Sequence, residues 1–224
     1  MNFIDTVSVS EFLCLKSLLF RKLKDKGASR VVGVDISPAM IEEAKKYEDY
    51  KEAGSLIYEV GNAKTYESSF LYDIVTSQYL FPYASTKNDL LQMCQSAYNA
   101  LKPEGTFVGV STWLGDMNRS PDKAYLPLIG FKMTWDGIDD GANVHDGMLV
   151  KLTLFDSKGQ ARVTLPNHLW SRESIANAIY GAGFAKLEWV SEECSNHANA
   201  EVKRWAEAAR PEFGLHGYFV ARKE

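Results

Sequence analysis

The sequence predicts a single α/β domain built on a mainly parallel sheet. Four short runs are apolar and rich in β-branched residues, as is typical of buried strands; they are residues 30–35, 56–60, 72–76 and 105–110. Helical patterns separate these runs. Strands that alternate with helices join through right-handed crossovers into a parallel sheet. The length of 224 residues suits one such domain with an insertion.

The helices also have start and stop signals. They are predicted at residues 37–46, at residues 88–101 and from Ser171 to about Gly181. Ser37 supplies the N-cap of the first helix, and Pro38 suits its first helical position. After the third helix, the pattern predicts a strand at 185–190, a helix at 198–209 and a last strand at 217–221.

Between residues 112 and 170 the alternation stops. This stretch is rich in glycine, aspartate, proline and aromatic residues, and it contains a predicted hairpin in which residues 148–155 pair with residues 160–166. We interpret the stretch as a lid inserted into one domain that spans residues 1–224.

Composition excludes several classes of function. Hydrophobic residues make up 46% of the chain and charged residues 24%, and the net charge is -4 without a basic run. Binding to nucleic acid or to an anionic membrane would favour a positive surface, so neither is expected. The three cysteines lack metal-ligand spacing, so we expect reduced thiols and no metal site. The first apolar run is short and is interrupted by Lys16, which predicts no membrane span and a cytoplasmic location.

The candidate chemistry follows the ends of the predicted strands. Asp35 ends a buried strand, and open α/β sheets bind ligands at that edge. A carboxylate there can accept hydrogen bonds from two ribose hydroxyls. The alternative is that Asp35 caps the next helix, although Ser37 already fills that role. After the next strand, Asn62 can meet the edge of an adenine while Gly61 lets the backbone come close, although Gly-Asn alone is a common turn.

Four segments together resemble successive motifs of small-molecule S-adenosylmethionine-dependent methyltransferases of the ubiquinone-biosynthesis and toxoflavin-methylating type. They are residues 31–40, residues 61–63, residues 72–75 and residues 101–106. The resemblance covers about residues 22–109 and resumes at 169–184. It implies a Rossmann-like class I methyltransferase fold with an antiparallel last strand, and S-adenosylmethionine as cofactor.

The resemblance also implies roles for individual residues. Asp35 would hold the ribose, Ile36 and Met40 would line the adenosyl pocket, and Gly61, Asn62 and Ala63 would face the adenine. Ser77, Gln78 and Tyr79 would lie near the methionine part of the cofactor.

One part of the family pattern is missing. Such enzymes open with a strand and a Gly-x-Gly-x-Gly turn, but no glycine precedes Gly27. Residues 6–10 would then replace the first strand and place Glu11 in the turn, where repulsion of a carboxylate costs on the order of a few kcal/mol. Three explanations stay open: an N-terminus that differs from that of the full-length enzyme, weak cofactor binding in an altered pose, or loss of methylation.

The predicted lid supplies the substrate candidates. Their apolar or polarizable side chains suit a small-molecule pocket; they are Trp113, Met117, Trp135, His145 and Trp170. His168 is a candidate acid or base and Tyr83 a candidate for orienting a hydroxyl, although a lone histidine is more often structural.

The leading hypothesis is an enzyme that transfers a methyl group from S-adenosylmethionine to a small hydrophobic or aromatic metabolite. One alternative is a cofactor-independent cyclase or isomerase on the same fold. Another is a catalytically degenerate relative that binds a partner, such as a full-length homologue. Fold alone does not decide among these functions. A homo-oligomer also stays open.

Overall fold

The computed structural model describes residues 2–5, 28–46, 56–111, 125–126, 131–135, 145–156, 158–190 and 217–224. The strands are β1 (Asn2–Asp5), β2 (Arg30–Asp35), β3 (Leu56–Val60), β4 (Tyr72–Gln78), β5 (Leu101–Ser111), β6 (Tyr125–Leu126), β7 (Phe131–Thr134), β8 (Met148–Phe155), β9 (Ala161–Leu169), β10 (Lys186–Val190) and β11 (Gly217–Arg222). The helices are α1 (Pro38–Lys46), α2 (Lys87–Ala100) and α3 (Arg172–Gly181), and a 3₁₀ helix spans Phe81–Tyr83.

The main sheet has seven strands in the order β10-β11-β5-β4-β1-β2-β3. Strands β1 to β5 pair in parallel with one another, whereas β11 pairs antiparallel with both β5 and β10. The predicted α/β class and the antiparallel last strand are therefore confirmed. All five parallel strands end at the same edge, so the residues that follow them meet there.

The position of the first strand differs from the sequence prediction. Residues 6–10 were expected to replace it, but β1 is formed by Asn2–Asp5, which pairs with β2 on one side and β4 on the other. Residues 6–10 and the predicted helix at 198–209 lie outside the described residues. The central position in the sheet is thus filled by a segment too short for its pattern to identify it as a strand.

A second sheet lies within the predicted lid, and we call it the insertion sheet. It consists of β6, β7, β8 and β9 in that order, and all its pairs are antiparallel. The predicted hairpin is confirmed, with β9 running to Leu169 rather than stopping at 166. Asp156 closes its turn, because Asp156 Oδ1 accepts hydrogen bonds from the backbone N–H groups of Lys158 (2.8 Å) and Gln160 (2.9 Å).

The core includes an aromatic cluster that joins the main sheet to the segment after β4. The Phe219 ring on β11 stacks on that of Phe81 at 5.6 Å and meets Phe107 of β5 edge-on at 5.1 Å. All three side chains are buried. Helices α2 and α3 add Leu90 and Ile175 to the same core. Burying this apolar surface is the main force that holds the sheet edge in place.

The two longer helices are fixed at their ends. Thr86 caps α2, since its Oγ1 accepts a hydrogen bond from the Asp89 N–H at 3.0 Å, and Ser171 caps α3 in the same way through the Ser174 N–H at 3.1 Å. At the C-terminus of α2, Lys223 Nζ donates to the carbonyl of Tyr98 (2.9 Å) and to that of Leu101 (2.8 Å). These contacts hold the start of α2 at a defined place on the carboxyl edge.

Candidate functional site

Asp35 occupies the predicted place at the end of β2. Asp35 is only 4% exposed, and its Oδ1 accepts a hydrogen bond from the Ser37 N–H at 2.7 Å. Its backbone carbonyl accepts another from the Gly61 N–H at 2.9 Å, which ties the end of β2 to the end of β3. A carboxylate held in this way at the carboxyl edge is oriented before any ligand arrives.

Exposed apolar side chains lie beside this buried carboxylate. Ile36 is 61% exposed, and Val60, which pairs with Asp35 across the two strands, is 56% exposed. Met40, in the first turn of α1, is half-buried. An apolar surface next to a precisely held polar group is typical of small-molecule sites. Asp35, Ile36 and Met40 therefore lie on one strand–turn–helix unit, and their contacts with a cofactor stay a prediction.

The turn after β3 depends on glycine. A Cβ atom on Gly61 would lie 2.8 Å from Val34 Cγ1 and 3.0 Å from Tyr66 Cδ2. Asn62 folds the turn on itself, because its Oδ1 accepts a hydrogen bond from the Lys64 N–H at 3.0 Å. Since that oxygen is engaged, the NH₂ group is the donor that Asn62 can offer to a ligand.

Two residues predicted to contact the cofactor have buried side chains, and their contact with the cofactor stays a prediction. Ala63 belongs to the hydrophobic core. Ser77 is 2% exposed, and its Oγ lies 2.7 Å from the position that a Cβ on Gly109 would take, so its hydroxyl faces the packed interior. Side chains alternate between the faces of a strand, and the sequence alone did not fix which face of β4 is covered.

Residues at the end of β4 stay close to the edge. Gln78 is the last residue of the strand and is half-buried. Tyr79 follows it with φ at +50°, and its N–H donates to the Val110 carbonyl at 2.7 Å. A bulky residue with positive φ is strained, and such strain persists where the surroundings impose it. The hydrogen bond to β5 is one such restraint.

The two catalytic candidates, His168 and Tyr83, lie on adjoining elements. Tyr83 ends the 3₁₀ helix, which packs against β9. His168 is on β9 opposite Leu149. Its Nδ1 is buried and makes no hydrogen bond with any residue that the structure describes. A catalytic role for either side chain stays a prediction.

The predicted substrate residues are not all near the surface. Trp170 is 3% exposed, and its Nε1–H donates to the Ala84 carbonyl at 3.1 Å, so it joins the insertion to the segment after β4 as part of the core. A contact between its indole and a substrate stays a prediction. Trp135 follows β7 and is also buried, whereas His145 is exposed. Trp113 and Met117 lie outside the described residues.

Asp146 is a residue that the sequence interpretation missed. Its Oδ1 accepts a hydrogen bond from the Ser171 N–H at 2.6 Å, its Oδ2 accepts one from the Ser174 hydroxyl, and Lys87 Nζ lies 3.6 Å from Oδ2. Burial raises the pKa of this carboxyl, but the hydrogen bonds from the two serines outweigh that effect and lower it overall. Asp146 thus fastens the beginning of β8 to the N-terminus of α3.

We expect Asp146→Asn to destabilise the protein by about 1–2 kcal/mol at pH 7, because one charge-assisted hydrogen bond is lost. A carboxyl with a lowered folded pKa contributes stability in full above its unfolded pKa of about 3.9, and this contribution disappears as the pH falls through the folded value. Urea unfolding of both proteins should therefore give curves that differ at pH 7 and converge as the pH falls through the folded pKa of Asp146. Glu42→Gln, at an exposed ion pair with Lys45, is the control and should change stability by less than about 0.5 kcal/mol. A constant difference at every pH would contradict the assignment.

Among the described residues, no three or more histidine, cysteine, aspartate or glutamate side chains are grouped in a way that could hold a metal ion. No helix among the described elements has the length and apolar character needed to cross a bilayer.

Comparison with known proteins gives a consistent result. Residues 10–105 match the family model for a methyltransferase domain. No curated protein sequence matches the chain.

Solved structures match almost the whole chain. An S-adenosylmethionine-dependent methyltransferase from Mesorhizobium loti is 18% identical with a TM-score of 0.60, covering 99% of this chain and 90% of its own. One from Clostridium acetobutylicum is 14% identical with a TM-score of 0.61, covering 99% and 83%. An amino pentose methyltransferase of calicheamicin biosynthesis from Micromonospora echinaspora, solved with S-adenosylmethionine bound, is 15% identical with a TM-score of 0.60, covering 100% and 84%.

At these identities the structural likeness establishes the fold, and the domain match spans the part of the chain that contains β2, β3 and β4. The chain therefore has the Rossmann-like fold of these S-adenosylmethionine-dependent methyltransferases, and its residues 10–105 are similar to the methyltransferase domain family.

Proposed function

We propose that this protein binds S-adenosylmethionine at the carboxyl edge of its main sheet and transfers the methyl group to a small hydrophobic or aromatic metabolite. The observation that carries this proposal is the buried carboxylate of Asp35 beside the exposed Ile36 and Val60. Methyl transfer is the activity that the domain match supports. The nature of the metabolite is inferred from the apolar surroundings of the site.

The nucleoside half of the cofactor suits the residues present. The Asp35 carboxylate accepts hydrogen bonds from the two ribose hydroxyls, for which a charged and oriented acceptor is well suited. Ile36 offers an apolar surface to the base, and the Asn62 NH₂ group offers a donor to its ring nitrogens. The absence of a side chain at Gly61 keeps this turn close to the end of β2.

The acceptor substrate would approach from the side of the insertion sheet. The cofactor supplies an electrophilic methyl group on a sulfonium sulfur, and the reaction needs chiefly alignment and exclusion of water. When the acceptor must lose a proton, His168 Nδ1 is the candidate base, with Tyr83 as the group that orients the acceptor hydroxyl. Trp135 would bound the substrate on the insertion sheet. The expected setting is small-molecule metabolism in the cytoplasm.

Calorimetric titration with S-adenosylhomocysteine tests the proposal directly. We expect a dissociation constant of about 1–100 μM, which corresponds to a binding free energy of roughly -8 to -5 kcal/mol. No binding at 1 mM ligand would refute the proposal and leave the cofactor-independent cyclase or isomerase and the partner-binding protein. Turnover of a candidate metabolite without any methyl donor would then identify the first. A stable complex with a homologue, and no turnover, would identify the second.

A further inference from the structure

One carboxylate connects two loops at the carboxyl edge. We call residues 61–66, which follow β3, the β3 loop, and residues 79–86, which follow β4, the β4 loop. Asp89, in the first turn of α2, has its Oδ1 3.3 Å from Lys64 Nζ of the β3 loop. Its Oδ2 accepts hydrogen bonds from the backbone N–H (3.0 Å) and the hydroxyl (2.7 Å) of Ser85 in the β4 loop. Both loops are therefore attached to the same side chain.

The two loops carry different parts of the proposed site. The β3 loop holds Gly61 and Asn62, which would meet the adenine. The β4 loop holds Tyr79 and Tyr83, which would lie towards the methyl group and the acceptor. The Asp89 carboxylate itself accepts its bonds from Lys64 and Ser85, so any effect on ligands would be exerted through the loops.

The contacts of Asp89 are stronger than those of an ordinary surface pair. Its side chain is 13% exposed and that of Lys64 34%, so solvent screens the interaction only in part. The Ser85 N–H and hydroxyl donate to an ionised carboxylate, which strengthens these hydrogen bonds. Only the short Ser85 side chain is immobilised, so the entropic cost is small. Helix α2 buries Leu90 and Cys94 in the core next to Asp89. The carboxylate therefore stands on a rigid support.

We propose that Asp89 is a positioning residue that locks the β3 loop to the β4 loop and so fixes the nucleoside contacts relative to the acceptor side of the site. This inference rests on the proposed function for its consequence in binding, but the locking itself is a property of the chain alone. Loosening the Lys64 contact should release the β3 loop, and loosening the Ser85 contacts should release the β4 loop, without disturbing the core.

A purely local role for Asp89 makes a different prediction. An acidic residue in the first turn of a helix favours the helix by its interaction with the dipole, and Thr86 completes the cap. Loss of such a role would loosen only the start of α2. The β3 loop would keep its protection, because a local role means that the Lys64 contact does not hold this loop.

Hydrogen exchange followed by mass spectrometry separates the two roles without a ligand. In Asp89→Ala, amides of both loops should exchange at least about five-fold faster than in the wild-type protein, and in Lys64→Met only those of the β3 loop should do so. Lys102→Met is the matched control, because Lys102 forms a comparable pair with Asp73 (3.1 Å) at the opposite, amino ends of β4 and β5. It should leave both loops unchanged. Faster exchange confined to residues 85–90 in Asp89→Ala, and unchanged exchange in Lys64→Met, would overturn the locking.

Binding supplies the second readout. We expect the affinity for S-adenosylhomocysteine to fall about ten-fold in Asp89→Ala and about three-fold in Lys64→Met, and to stay unchanged in Lys102→Met. If the wild-type protein fails to bind, the proposed function is lost while the exchange data still decide the locking. If amide exchange in the loops becomes faster in Asp89→Ala and Lys64→Met but the affinity for S-adenosylhomocysteine does not change, the two loops are locked together and the positioning role is refuted. Should Asp89→Ala fail to fold, Lys64→Met carries the test in both measurements.

Discussion

The Asp35→Asn variant is expected to bind S-adenosylhomocysteine at least about 100-fold more weakly than the wild-type protein. Hydrogen bonds to a charged group contribute about 1.5–3 kcal/mol each, and two ribose hydroxyls would lose the charged acceptor. A loss of about 3 kcal/mol corresponds to a factor of more than 100 in affinity. The fold should survive, because the asparagine oxygen can still accept the hydrogen bond that the Ser37 N–H donates to Asp35 Oδ1 at 2.7 Å.

Calorimetry and thermal unfolding on the same samples check this result. Asp73→Asn makes the same chemical change at the amino end of β4, far along the strands from the proposed site, and should leave the affinity within about two-fold of wild type. A wild-type affinity in Asp35→Asn would show that the carboxylate does not hold the ribose. Equal losses of affinity and stability would show that Asp35 serves the fold alone.

Gly109→Ala should cause the largest loss of stability, about 3 kcal/mol or more. A Cβ at this position of β5 would overlap the Phe219 ring and come within 2.7 Å of Ser77 Oγ. The ring has little freedom to move, since it stacks on Phe81 and meets Phe107 edge-on. Overpacking a close-packed core costs about 1–3 kcal/mol and at times more, which is a large part of the stability of a domain.

Urea unfolding measures this loss. Gly181→Ala is the control, because the added Cβ would meet only Leu91 Cδ1 at 3.2 Å, and we expect a change of less than about 1 kcal/mol. Adding Phe219→Leu to Gly109→Ala should recover part of the lost stability, since the free-energy effects of substitutions at contacting residues are not additive. A Gly109→Ala protein as stable as the wild type would mean that β5 and β11 are packed less tightly than the structure shows.

Local sequence pattern was sufficient to locate several of the strands. The bounds of β2 and β3 match the predicted ranges, since a short β-branched run between turn residues leaves few alternatives. The place of Asp35 at the end of β2 followed from those bounds. The hairpin of β8 and β9 was predicted because alternating residues flank a turn that contains Asp156 and Gly159.

The burial of some predicted site residues was not predicted, because burial depends on what covers a strand. Ser77 and Ala63 stand beside the predicted site in sequence, yet both side chains lie in the interior. The opposite holds for Val60, whose exposure next to Asp35 was not predicted. Periodicity shows which residues share a face, but not whether another element packs on that face.

The sequence by itself determined the α/β class, the alternation of strands and helices, and the carboxylate at the end of β2. Only the tertiary structure decided that Asn2–Asp5 fills the centre of the sheet, that Trp170 bonds to Ala84, and that Asp89 reaches Lys64. The physical reason is the range of these contacts. Apolar periodicity and capping residues act over one or two turns of chain, whereas a contact between residues 25 or 86 positions apart depends on how the elements pack.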